Sequence, residues 1–111
     1  MRLSTHILDT ALGLPAADVS ISLSKLEGAE WREIGKGATD ADGRCKTLLG
    51  NGALESATYR LRFATSEYFA VKQLVGLYPF VDIVFTVTDP EQHYHIPLLL
   101  TANGYSTYRG S

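Results

Sequence analysis

A chain of 111 residues with 45% hydrophobic content can bury one core but not two, so it reads as a single domain over 1–111. A net charge of −2, with basic residues scattered among acidic ones, argues against nucleic-acid or anionic-membrane binding. One cysteine, Cys45, excludes an internal disulfide framework, and no apolar run approaches the ~20 residues of a spanning helix.

In chain order, Leu3 to Asp9 is a first strand of mixed polarity, ended by the turn Thr10-Ala11-Leu12-Gly13-Leu14-Pro15. Val19, Ile21 and Leu23 alternate with Ser20, Ser22 and Ser24, the period of a half-buried strand. Trp31 to Lys36 forms a weaker strand after the Glu27-Gly28 turn. Thr39-Asp40-Ala41-Asp42-Gly43 is turn chemistry, and Arg44 to Leu49 returns as a short strand. Tyr59, Leu61 and Phe63 alternate with Arg60 and Arg62 as another strand. Ser66-Glu67 opens a helix whose two turns run through Tyr68 to Val75, and Pro79 closes that segment. Val81 to Thr88, His93 to Leu100 and Tyr105 to Arg109 are the remaining strands. About eight short strands at regular spacing, with one short helix, predict an all-β sandwich.

Histidine is the side chain best suited to moving protons near neutral pH, and the chain has three: His6, His93 and His95. His93 and His95 stand two apart, so their rings share one face of a strand. Taken singly, each also fits a surface or half-buried residue with a satisfied hydrogen bond. A His-x-His strand with a third histidine is one way to hold zinc, but no carboxylate or cysteine stands at a helpful spacing, so no metal and no cofactor is assigned. Arg44 follows Asp42-Gly43 at the exit of a turn, and by itself fits an exposed surface arginine; Arg109 equally fits a solvated strand position. Cys45 fits a small buried apolar residue, since a strand turns Arg44 and Lys46 to the opposite face. The sequence closes on Tyr105-Ser106-Thr107-Tyr108-Arg109-Gly110-Ser111, a stretch with strand alternation up to Gly110 and a hydroxyl at Ser111.

Four separated stretches resemble the transthyretin-like proteins. They are His6-Ile7-Leu8-Asp9-Thr10 with Gly13-Leu14-Pro15-Ala16, Thr39 to Cys45, His93-Tyr94-His95-Ile96-Pro97-Leu98-Leu99-Leu100, and Tyr105 to Ser111. The terminal Tyr108-Arg109-Gly110-Ser111 resembles the family's enzymatic branch, the 5-hydroxyisourate hydrolases of urate degradation. Thr101-Ala102-Asn103 departs from the family's usual Ser-Pro-aromatic run, in the connection between the last two strands. The resemblance implies a transthyretin-like β-sandwich and hydrolysis of 5-hydroxyisourate. It implies His6, Arg44, His95 and Ser111 as catalytic residues, with Tyr108, Arg109 and Gly110 binding the substrate. It further implies a homotetramer, a dimer of dimers with sites at the dimer–dimer interface, and a cytoplasmic location. The rival expectation is a carrier of a small aromatic ligand without turnover, and a purely structural sandwich stands behind both.

Overall fold

The structure, a computed structural model, describes residues 2–50 and 52–110. The period-two alternation of the sequence becomes two packed sheets. Among the described residues the elements are β1 (Leu3–Asp9), β2 (Leu14–Pro15), β3 (Ser20–Glu27), β4 (Glu30–Ala38), β5 (Arg44–Cys45), β6 (Ala57–Phe63), α1 (Thr65–Val71), β7 (Val81–Val87), β8 (Tyr94–Thr101) and β9 (Gly104–Thr107). One sheet runs β2-β1-β8-β9, with β5 also pairing β1; the other runs β4-β3-β6-β7. All ladders are antiparallel except β1 with β8, which is parallel and joins the two ends of the sequence.

The core follows from the pleat. Leu3 and Ile7 of β1, Ile21 and Leu23 of β3, Tyr59, Leu61 and Phe63 of β6, and Tyr94, Ile96, Leu98 and Leu100 of β8 all point between the sheets and are buried. Full burial of a side chain of this kind is worth about 1.5–3 kcal/mol, so the inward positions fix the register and leave the outward ones for other uses.

Several boundaries differ from the sequence reading. The expected strand from Arg44 to Leu49 pairs only at Arg44 and Cys45, opposite His6 and Thr5. Beyond it the chain turns so that the Leu48 carbonyl approaches Gly35, where any Cβ would lie 1.7 Å from the oxygen. The helix begins one residue earlier than its serine signal and ends at Val71 instead of Val75. Gln73 takes the left-handed conformation at φ 59°, with Leu74 N–H bonding the Phe69 carbonyl and Gln73 N–H the Ala70 carbonyl. That is a Schellman ending, here without the glycine that usually announces it. Leu14–Pro15, read as turn, pairs with Leu8 and Asp9 as the two-residue β2.

The last strand stops at Thr107 because of Pro97. His95 and Gly110 face each other across the β8–β9 ladder, Gly110 N–H donating to the His95 carbonyl at 2.7 Å. Two residues along, the equivalent pair is Pro97 with Tyr108, and proline has no N–H to give. The ladder skips that rung and re-forms at Gly110. The departure at Thr101-Ala102-Asn103 becomes a two-residue hairpin turn at Ala102 and Asn103, closed by Thr101 Oγ donating to the Gly104 carbonyl at 3.1 Å.

Candidate active site

The outward positions of β1, β5 and β8 form one surface. Inward Leu3, Thr5 and Ile7 leave Ser4 and His6 on the outer face of β1, and inward Tyr94 and Ile96 leave His95 outward on β8. Register then sets the neighbours: Ser4 lies opposite His95, and His6 lies between Pro97 on one side and Arg44 on the other. The parallel β1–β8 ladder and the antiparallel β1–β5 pairing thus bring together three residues singled out in the sequence, His6, Arg44 and His95.

Arg44 and His6 are held by the turn before β5. Asp40 takes backbone N–H bonds from Asp42 at 2.9 Å and Arg44 at 3.0 Å on one carboxylate oxygen. Those bonds, the Arg44 amide first, keep its carboxyl below the usual carboxylate range. Gly43 sits at φ 76°, where an added Cβ would lie 2.5 Å from the Ile7 carbonyl, so only glycine lets the turn lie this close to β1. The turn offers the Asp42 carbonyl to His6 Nε2 at 2.9 Å. A carbonyl can only accept, so Nε2 carries the proton and the neutral ring keeps its lone pair on Nδ1. Arg44 is exposed, and among the described residues no carboxylate forms an ion pair with it.

His95 is half-buried, and its Nδ1 lies 2.8 Å from the Ser4 hydroxyl. The same hydroxyl lies 3.2 Å from His93 Nε2, and the two rings stand 6.4 Å apart, inclined by 25°. Burial pushes the His95 pKa below the ordinary histidine value, and the charges of Arg44, His6 and His93 push it the same way. Its ring is therefore a neutral base at pH 7, with positive or protonatable neighbours and, among the described residues, no ion pair.

Among the described residues of the closing segment, Gly110 meets this surface. An added Cβ on Gly110 would lie 2.5 Å from His95 Cδ2 and 3.4 Å from the Pro97 ring, so the glycine lies flat on the imidazole. Arg109 alternates to the other face: its guanidinium donates to Gln92 Oε1 and to the His93 carbonyl, each at 3.1 Å, and covers the Tyr94 ring at 4.3 Å. The structure does not bring that guanidinium to His95. Tyr108 is exposed, and Ser111 lies outside the described residues. The sequence reading missed Ser4, although the same period of two that pairs His93 with His95 puts Ser4 beside His6 on the face of β1.

Among the described residues no cluster of three histidine, cysteine or carboxylate side chains stands close enough to hold a metal ion, and no helix is long and apolar enough to cross a membrane. What the surface offers is a neutral imidazole, a second imidazole of defined tautomer, and a guanidinium without a partner carboxylate. Such a set can take a proton from water, stabilise an oxyanion and return a proton to a leaving group.

Residues 3–110 match the model of the HIUase/Transthyretin family. A 5-hydroxyisourate hydrolase of Mus musculus is 44% identical over 98% of this chain and 94% of its own length. The solved 5-hydroxyisourate hydrolase of Klebsiella pneumoniae superposes with a TM-score of 0.87 at 36% identity, covering 98% of this chain and 97% of the other. Sea bream transthyretin in complex with thyroxine superposes with a TM-score of 0.92 at 29% identity, covering 99% of this chain and 95% of that one. Backbone shape alone therefore does not separate a hydrolase from a carrier.

Proposed function

Because this chain belongs to the HIUase/transthyretin family, we propose that it hydrolyses 5-hydroxyisourate in urate degradation. The observation that carries this choice over the carrier reading is the outer face of β1, β5 and β8. His95 is held neutral there beside His6 and an Arg44 that forms no ion pair among the described residues. A channel for an apolar ligand gains nothing from three uncompensated polar groups, whereas a hydrolytic site needs them.

The reaction assigns each group one task. His95 takes a proton from water at Nε2, and the hydroxide formed attacks a ring carbonyl of the substrate. The carbonyl electrons move to oxygen, where the Arg44 fork meets the developing charge. Collapse of that tetrahedral species breaks the carbon–nitrogen bond, and the departing nitrogen takes back from His95 the proton that came from water, while His6, its Nε2–H held by the Asp42 carbonyl, presents Nδ1 as an acceptor. The product is the ring-opened 2-oxo-4-hydroxy-4-carboxy-5-ureidoimidazoline. A positioned proton transfer of this kind contributes about 10²- to 10⁴-fold. Gly110 gives the tail close passage over His95, Tyr108 shapes the substrate side, and Ser111 orients the water or a histidine; Arg109, turned to the other face, braces the chain at Gln92 and His93 instead of meeting the substrate. No metal or cofactor enters the scheme.

The proposal includes a homotetramer in which β9 edges pair and two dimers enclose the sites. Its support is that β7 and β9 are edge strands, with Tyr105 and Tyr108 exposed along β9 and just beyond it. Light scattering should read four chain masses.

The deciding experiment generates 5-hydroxyisourate from urate with a urate oxidase, adds the protein, and follows the ultraviolet absorbance of the intermediate. Decay well above the spontaneous rate is the expected result. Decay at the spontaneous rate, with saturable binding of a small aromatic ligand, would transfer the chain to the carrier side.

A further inference from the structure

The Ser4 side chain is almost wholly buried, yet its one hydroxyl touches two histidines, at 2.8 Å from His95 Nδ1 and 3.2 Å from His93 Nε2. A hydroxyl has one proton to give and lone pairs to accept with, so it cannot donate to both rings at once. If it donates to His93 Nε2, it accepts from His95 Nδ1–H, and the lone pair of His95 is left on Nε2. That is the arrangement a general base at His95 Nε2 requires. We infer that Ser4 is a positioning residue for the hydrolysis proposed above, fixing the base-competent tautomer of His95 and linking it to His93 as a proton relay.

The step balances without a further reactant. When His95 Nε2 takes a proton from water, the ring carries a positive charge among Arg44 on β5, His6 on β1 and His93 before β8, all of which oppose it. Through Ser4 the Nδ1 proton passes to the serine oxygen while the serine proton passes to His93 Nε2. His95 is then neutral again, protonated at Nε2, and the charge sits on His93. His93 is the more exposed ring, and it lies further along the strand from the tail glycine that covers His95. Water there solvates an imidazolium better than the half-buried position does. Of the charged groups described near this end of β8, the Arg109 guanidinium is engaged by the His93 carbonyl and Gln92, and Arg2 pairs with Glu91. The reverse hops return the proton for the leaving nitrogen.

Ser4→Ala and Ser4→Thr, in the full chain, test the relay with two readouts. Imidazole nitrogen NMR in the absence of substrate should show His95 losing its single tautomer in Ser4→Ala and keeping it in Ser4→Thr. In turnover, Ser4→Ala should lower kcat about 10-fold with KM nearly unchanged, at the low end of what one positioned proton transfer supplies. Its acid limb should move to lower pH, because the oxygen that supports the His95 imidazolium is gone. Ser4→Thr should recover most of the rate. An active enzyme whose tautomer and acid limb are the same in Ser4→Ala would overturn the relay, as would a Ser4→Thr variant that folds and is no better than alanine. Loss of thermal stability with an unmoved pH profile would reduce Ser4 to packing. If the wild-type chain shows no turnover at all, it is the hydrolase reading that fails, a result the NMR comparison does not share.

Discussion

Along the four-stranded sheet, Arg62 grips Asp82 through two bonds of 2.8 and 2.9 Å, while Lys25, Arg32 and Lys36 each meet a glutamate. Across the molecule, on the outer face of the other sheet, Arg44 forms no ion pair among the described residues, His6 meets a backbone carbonyl and His95 a serine hydroxyl. Both faces are built by the same pleat and both are rich in cations. The first engages most of its cations in pairs at or near the surface, and pairs of that kind contribute little to stability. On the second, burial first and the neighbouring positive charge after it keep His95 neutral, and no ion pair among the described residues occupies Arg44. Pairing, rather than composition, separates a solvated face from a reactive one.

Four experiments would break or sharpen that contrast, the largest effect first. Arg44→Ala or His95→Ala should lower kcat/KM by about 10²- to 10³-fold, with circular dichroism and melting temperature close to wild type. A variant that kept most of its activity would erase the distinction between the faces. Gly110→Ala should cost up to about 10²-fold in the same assay, since its Cβ would meet the His95 ring and displace the tail or the base. Its stability should hardly move.

The pH dependence comes next. His95 titrates lower in the folded chain than its ordinary value of about 6.5, so activity should be flat above pH 7 and fall only below that value. Stability follows the same sign. The unfolded chain binds the proton more readily, so the contribution is complete above pH ~6.5 and is lost as the pH falls through the lower folded value. Urea midpoints measured from pH 7 downward should decline over that window, and less steeply in His95→Ala. The smallest effect belongs to the other face. Asp82→Ala should change stability by at most about 1 kcal/mol by chemical denaturation and leave turnover untouched.

Much of this site is legible before folding. Period-two alternation puts His93 and His95 on one face and turns Arg109 away from Gly110, and the Asp42-Gly43 turn marks Arg44 as a residue at a strand entrance. What the linear pattern does not contain is which strands become neighbours. The Ser4–His95 contact exists only because β1 and β8 pair in parallel at one register, and nothing local encodes that. Ser4 was invisible for this reason, since serine two residues before a histidine looks like any outward strand position. The shortened β5 and the helix end at Gln73 were hidden likewise, one by a close approach to Gly35 and the other by a left-handed residue that is not glycine. Pro97 was in view throughout, but its effect on Tyr108 needs the partner strand to be known.

The parallel ladder between β1 and β8 has a bearing on how the molecule is made. Its register partners, from Leu3 with Tyr94 to Asp9 with Leu100, lie far apart along the sequence. Contacts this remote in sequence carry the largest loop-closure cost and form late. Half of the reactive groups emerge from the ribosome first and wait for the other half, so no partly synthesised or partly collapsed chain can hold a working fragment of the centre. Recovery of turnover after dilution from urea is thus a clock for the last long-range event in folding, and it should lag the local burial of Tyr59 within β6.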